Sequence, residues 1–295
     1  LDRAGLAAWI AEHLPAAPRH RAGQLFRWLH GRRAADFSAM SDVPAGERAR
    51  LGEQATLRRL RDGTRKLRLL TADDQALESV LIPNEDRGYT QCVSSQVGCA
   101  LTCRFCATAS LGFTRNLATW EIVDQVYQAQ DLLAREVDEH GHSPRITNLV
   151  FMGMGEPLHN YNQVRRAIEL LIDPDGAGIG ARRITISSSG LVPAIERFAR
   201  DELAHEVGLA ISLNATTDAV RDQVMPINTR WNIAALLAAV RSVPPHRRRL
   251  VTFEYVLLAD VNDTDADVRR LARLVGDIRC QINLIPFNPH PHAPY

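Results

Sequence analysis

No stretch of this chain approaches the roughly 20 consecutive apolar residues that span a bilayer, although 45% of its 295 residues are apolar. A membrane-spanning helix is therefore not expected, and the length allows a globular chain with a sizeable core. A leader pattern is also missing: residues 1–15 mix Asp2, Arg3 and Glu12 into an apolar stripe, and no small-residue cleavage site follows. Nor is there a nucleotide-binding glycine loop. The run G-A-G-I-G at 176–180 lacks the G-x-G-x-x-G spacing and precedes a strand-like segment, so it reads as a connection. Cysteine is scarce, at five, and four of the five fall between positions 92 and 106. In the reducing, intracellular setting expected here, thiols so clustered read as ligands or reactive groups and not as disulfides.

A net charge of +1 conceals a division along the chain: residues 1–70 carry 14 Lys/Arg against 7 Asp/Glu, and the remainder 21 against 27. A basic amino-terminal module beside a mildly acidic body suits a polyanionic partner. An ordinary solvated surface gives the same count, so charge alone leaves both open. Arg58, Arg59, Arg61 and Arg65 are the candidates to meet phosphates.

Periodicity divides the chain further. Leu6, Trp9, Ile10 and Leu14, then Leu25, Trp28 and Leu29, recur at helical spacing, which predicts a small helical domain over 1–55. Strand-like segments at 57–60, 65–71 and 76–82, with Asp62-Gly63 as a turn, predict a β-rich connector over 56–84. From 85 to 295, a strand at 90–97 and apolar runs at 147–153, 183–188, 207–213, 250–258 and 281–286 alternate with helical patterns at about 119–138, 161–172, 191–201, 232–243 and 264–275. Such alternation specifies an α/β fold with a parallel sheet. The expected form is a partial (β/α)6 TIM-like barrel, with a doubly wound open sheet as the alternative. Polar or glycine-rich residues at the strands' carboxyl ends favour the barrel, because parallel barrels build their sites there.

Cys99, Cys103 and Cys106 form a C-x3-C-x2-C run. A structural zinc site takes four protein ligands, and an electron-transfer cluster is held by four cysteines. Three thiolates on one loop thus leave one iron of a metal-sulfur cube open to a substrate or cofactor. The strand ends G-M-G-E-P at 153–157, S-S-S-G at 187–190, S-L-N at 212–214 and P-F-N at 286–288 converge on that loop in a barrel, which favours a shared pocket. There two glycines would let a ligand approach the backbone, and Glu156 offers a carboxylate to an ammonium. Cys92, left over by the cluster spacing, lies seven residues before the first ligand.

C-x3-C-x2-C followed by a G-E-P strand end is similar to the radical S-adenosylmethionine superfamily. The strings C-V-S-S-Q-V-G-C, G-F-T-R-N-L, F-M-G-M-G-E-P, I-S-S-S-G, A-I-S-L-N-A, M-P-I-N and N-L-I-P-F-N resemble, within it, the bacterial RNA adenine C2-methyltransferases that act on 23S rRNA and tRNA. The likeness spans residues 78–295, and the L-F-R-W-L-H region resembles that family's amino-terminal RNA-binding module.

The resemblance implies that Cys99, Cys103 and Cys106 hold a [4Fe-4S] cluster whose open iron chelates S-adenosylmethionine. It implies that Gly155 and Glu156 hold the methionine amine, and that Ser187, Ser212, Leu213, Asn214 and Asn288 hold the carboxylate, ribose or adenine. At 214 the family often has His, and Asn keeps hydrogen-bonding capacity. Glu78 matches the family's acceptor for the adenine C2 proton, and Cys92 its second cysteine, which resolves a protein-RNA crosslink. A soluble, monomeric, cytoplasmic enzyme served by an electron donor such as flavodoxin is expected. The family's methyl-carrying cysteine lies past the A-P-Y string at which this sequence stops, so a fragment of a longer protein is expected; Cys280 reads as structural. Three alternatives stay open: the C8-methylating antibiotic-resistance relative, a non-catalytic RNA-binding metal protein, and a zinc site that recruits Cys92.

Overall fold

The computed structural model describes residues 3–13, 20–32, 56–59, 63–84, 88–137, 141–244 and 250–295. Helix α1 (Arg3–His13) is followed by α2 (Arg21–Phe26), which runs on into a π-turn at Arg27–Gly31. Leu6, Leu25 and Phe26 are buried and join the main core. Arg3 docks this module on the body, donating to Asp173 at 2.9 and 3.0 Å and to Asp175 at 2.5 Å. The Trp9 and Ile10 side chains and all of residues 14–19 and 33–55 lie outside the described residues.

Strands β1 (Thr56–Arg59), β2 (Arg65–Leu70), β3 (Ala76–Pro83) and β4 (Gly88–Cys92) pair antiparallel in succession. Here the segment expected as one strand at 90–97 divides. The chain leaves the sheet after β4, and β5 (Gln96–Gly98) pairs with β6 (Phe113–Asn116) in a separate hairpin that brackets the cysteine loop and short α3 (Ala107–Ser110). The physical cause is a set of bonds made by Ser94. Its backbone N–H donates to the Gln125 side chain, its hydroxyl donates to the Glu78 carbonyl, and the same hydroxyl accepts from Met154 N–H, so the chain turns at that point.

After the hairpin come α4 (Thr119–Ala134), β7 (Arg145–Phe151), α5 (Tyr161–Ile172), β8 (Ile184–Ser188), α6 (Val192–Ala199), β9 (Gly208–Ser212), α7 (Asp218–Val224), α8 (Ile233–Arg241), β10 (Val251–Leu257), α9 (Asp265–Val275) and β11 (Cys280–Pro286). The main sheet has nine strands in the order β1-β2-β3-β4-β7-β8-β9-β10-β11, and from β4 to β11 all pairing is parallel. These six parallel strands form an open, partial barrel, as the alternation predicts. Ile184, Ile186, Leu209, Ile211 and Phe253 are fully or nearly fully buried on them, each contributing about 1.5–3 kcal/mol of apolar burial. The helices present matching stripes; in α5 these are Val164, Ala167, Ile168 and Leu171. Local chemistry sets helix starts: Asn232 caps α8 through Ala235 N–H, and Thr264 with Asp267 forms a capping box on α9.

Two expectations change. Arg65 is 3% exposed and bidentate to Glu136 at 2.5 and 2.6 Å, with a further bond to the Tyr89 hydroxyl, so it braces β2 and does not face a phosphate. The side chains of Arg58, Arg59 and Arg61 lie outside the described residues. Strand β11 is not buried on both faces: it is the sheet's edge, and Leu284 is 57% exposed.

Candidate cluster and cofactor site

Cys99, Cys103 and Cys106 lie between β5 and β6, beyond the carboxyl ends of the parallel strands, and all are free thiols. Cys99 Sγ accepts from Leu101 N–H at 3.4 Å and from the Gly155 N–H. The Ser189 hydroxyl lies beside both Cys103 and the Glu156 carboxylate. Burial pushes Cys99 up to about 11 and Cys103 up to about 12, with the neighbouring thiols adding to the rise. Desolvated thiols of this kind carry charge only with a cation beside them, as metal ligands do. Among the described residues no three His, Cys, Asp or Glu side chains converge to hold one metal ion. Cys103 and Phe105 pack against a small apolar cluster of Ala215, Val224, Met225 and Leu258, and Arg104 N–H donates to Val224 O at 2.9 Å. The loop is therefore anchored to the end of α7.

Glu156, past the end of β7, is fully enclosed. Its carboxylate accepts from Ser189 N–H at 2.8 Å and Leu158 N–H at 3.3 Å, yet burial still raises it to about 7. The bonds orient the group, and the lost hydration is offset either by a proton or by a further cation. An ammonium supplies one.

Glycines around Glu156 do not open space for a ligand in the way the sequence suggests. Gly155 has φ +104°, and a Cβ there would sit 2.6 Å from the Gln96 side chain; at Gly153 it would meet Val93 O at 2.7 Å. They let one segment of protein pass against another, Gly153 against Val93 and Ser94 and Gly155 against Gln96. Fully buried, Gln96 accepts from Glu156 N–H at 3.0 Å and Ala100 N–H at 3.2 Å through its carbonyl. Its amide nitrogen lies 2.8 Å from Asn116 Oδ1 and 3.0 Å from His159 Nδ1. One neutral side chain thus ties the cysteine loop to the carboxylate.

The other strand ends differ in what they offer. The Ser187 hydroxyl donates to Phe151 O at 2.6 Å, and Ser212 is half-buried with its carbonyl bonded to Arg221. Leu213 is fully buried, its N–H donating to Glu254 O. Asn214 takes the left-handed conformation at φ +54° and turns its side chain inward, accepting from Val256 N–H at 2.8 Å. It braces the end of β10, and its side chain does not face the opening. Asn288, beyond β11, is exposed. Cys92 ends β4 between Val80 of β3 and Val150 of β7, and burial raises its thiol to about 11. Glu78 lies two residues from Val80 on β3, half-exposed, paired with Lys66 at 2.6 Å.

The description "Radical SAM superfamily" fits residues 93–274 of this chain, and "Ribosomal RNA large subunit methyltransferase N-terminal domain" fits residues 1–57. A dual-specificity RNA methyltransferase RlmN from Anaeromyxobacter dehalogenans is 48% identical over 92% of this chain and 74% of the relative. The chain belongs to the RlmN family of radical SAM methyltransferases. Other RlmN proteins are similarly close: that of Geobacter sulfurreducens is 49% identical over 92% of the chain, and that of Alkalilimnicola ehrlichii 46% over all of it, covering 74% and 81% of those relatives. A crystal structure of a radical SAM methyltransferase from Sphaerobacter thermophilus superposes on the whole chain with a TM-score of 0.86 at 43% identity and 86% of that chain covered. Family members use a [4Fe-4S] cluster and S-adenosylmethionine, and the three-thiol loop of this radical SAM chain has the donor set for it.

Reading by motif singled out the cysteines and Glu156. It missed Gln96, Ser189 and Arg221, which carry no ligand-like pattern of their own; the signal was that Gln96 and Ser189 stand inside the recognised strings.

Proposed function

We propose that this chain carries the cluster-binding, cofactor-binding and resolving groups by which C2 of an adenosine in 23S rRNA and in tRNA is methylated through radical S-adenosylmethionine chemistry. The observation that carries the reading is the three-thiol loop set against a buried carboxylate, Glu156, at the adjoining strand end. Cys99, Cys103 and Cys106 would hold the cluster, and Glu156 with the Gly155 backbone would receive the methionine ammonium. When bound, the cluster would supply the one-electron reducing chemistry that cleaves a sulfonium, which an unreactive aromatic carbon requires.

The protein's own groups do the rest. Ser187, Ser212, Leu213, Asn214 and Asn288 frame the nucleoside, with Asn214 acting through the backbone turn it holds. Glu78 would take the C2 proton from the adenine, beside Lys66. Cys92, buried and protonated at neutral pH, would supply the thiol that releases the product from the protein. We further propose residues 1–55 as the RNA-binding accessory module, 56–84 as the connector and 85–295 as the core. A flavodoxin-like electron donor, a monomer and a cytoplasmic setting complete the reading; no helix of the described residues is long and apolar enough to cross a membrane.

The test is anaerobic reconstitution with iron and sulfide, then reduction by dithionite in the presence of S-adenosylmethionine. The expected result is iron–sulfide absorption and formation of 5′-deoxyadenosine, both lost in Cys103→Ala. A colourless protein with one zinc per chain refutes the reading. In digests of RNA modified by the enzyme, 8-methyladenosine in place of 2-methyladenosine would assign the chemistry to the other ring position.

A further inference from the structure

The largest fully buried side chain among the described residues is a cation, Arg221 of α7. Its guanidinium donates to Leu213 O at 3.0 Å, Ser212 O at 3.0 Å, Ser189 O at 2.8 Å and Asn228 Oδ1 at 3.0 Å. All four acceptors are neutral. The nearest acids, Asp218 and Asp222, are bonded instead to the Asn228 amide nitrogen at 3.1 and 2.7 Å, so an uncharged side chain stands between them and the guanidinium. Taking an ion out of water costs several kcal/mol unless a counter-charge is near; among the described residues no carboxylate hydrogen-bonds to Arg221, and Asp218, Asp222 and Cys103 act on it only through space. Space is reserved for it: Gly190 has φ +111°, and a Cβ there would lie 3.1 Å from the arginine nitrogen.

Ser189 shows what the charge faces. Its carbonyl accepts from Arg221, its N–H donates to Glu156, and its hydroxyl lies beside Cys103 and Glu156. The helix that carries Arg221 is itself joined to the cysteine loop through Arg104 N–H and Val224 O. We propose that Arg221 is a positioning residue with two roles. It clamps the carboxyl ends of β8 and β9, which frame the cofactor, and its charge, which no acid bonds directly, stabilises the negative charge the cluster gains on one-electron reduction. The second role rests on the cluster reading above. Lysine is no substitute for the first, because a single ammonium cannot span four acceptors on three segments.

The test uses wild-type, Arg221→Lys, Arg221→Gln and Arg221→Met proteins, reconstituted anaerobically. Iron content, thermal unfolding and S-adenosylmethionine affinity are measured, and reduction is followed by electron paramagnetic resonance in a potentiometric titration. At the wild-type midpoint the reduced-to-oxidised ratio is expected to fall about tenfold in the Gln and Met variants, equivalent to 59 mV for a one-electron couple. It should stay within about twofold of wild type in Arg221→Lys, while all three variants bind the cofactor about tenfold more weakly. An unchanged ratio in the neutral variants, or an equal fall in Arg221→Lys, overturns the charge role. If neither neutral variant folds, Arg221→Lys decides: undiminished cofactor affinity overturns the clamp, and a shifted ratio overturns the charge role. A wild-type protein that takes up no cluster sinks the proposed function and this inference together, whereas a wrong variant pattern on intact clusters sinks the inference alone.

Discussion

Replacing Gln96 by Ala tests whether the cysteine loop and the carboxylate loop are held as one unit. The change removes an acceptor from two backbone donors, Glu156 N–H and Ala100 N–H, and a donor from Asn116 Oδ1. Glu156 is 2% exposed, so its orphaned N–H bears the full desolvation cost of about 1–3 kcal/mol. Ala100 is only half-buried and water replaces part of its bond. The space left by the side chain adds about 1–2 kcal/mol, giving about 3–4 kcal/mol in all. At about 3 °C per kcal/mol for a chain of this size, the thermal midpoint should fall by about 10 °C. Iron uptake on reconstitution should fall with it, because the loop's tether is gone. His159→Ala, which removes only the exposed partner of the same amide, should cost under about 1 kcal/mol. Calorimetry with iron analysis on both variants checks this. A Gln96→Ala protein within about 1 kcal/mol of wild type and with full iron content would refute the reasoning.

Other outcomes follow from single groups. Glu156 is raised from 4.5 to about 7 by burial, so the folded apoprotein holds a proton that the unfolded chain releases between those values. Stability conferred by the neutral acid is present below about 4.5 and declines by about 3 kcal/mol as pH rises to 7; denaturant melts of Glu156→Gln should lack that decline. Arg65→Met breaks a bidentate pair with Glu136 and should cost about 2–3 kcal/mol in chemical denaturation, yet leave the salt dependence of RNA binding unchanged, since its guanidinium is already bonded to protein. Cys280, at the amino-terminal start of β11 and partly buried against the core, should tolerate Ala with full iron content, whereas Cys106→Ala should lose the cluster's visible absorption.

Some of this was legible because it is written in local pattern. Alternating apolar runs and helical stripes are periodicities of neighbouring residues, and they specified six parallel strands with intervening helices, within a few residues at each end. The run from 90 to 97 failed because only Val93, Ser94 and Ser95 separate β4 from β5, with no Gly or Pro to mark a turn, and Ser94, by bonding to Glu78, Gln125 and Met154, bends the chain between them. Arg65 misled for a related reason: in a basic stretch it looks like its neighbours, and Glu136, which neutralises it, is 71 residues away.

From the sequence alone came the chemistry: three thiols at a spacing that leaves an iron vacant, a carboxylate at a strand end, and the order of the scaffold, all of them properties of residues near one another in the chain. Tertiary structure alone decided which groups restrain that chemistry. It brought Gln96 between the cysteine loop and Glu156, gave Ser189 three partners, turned Asn214 inward and enclosed Arg221 without a bonded acid. Hydrogen bonding and desolvation depend on what lies within a few ångströms after folding, and no spacing along the chain encodes that.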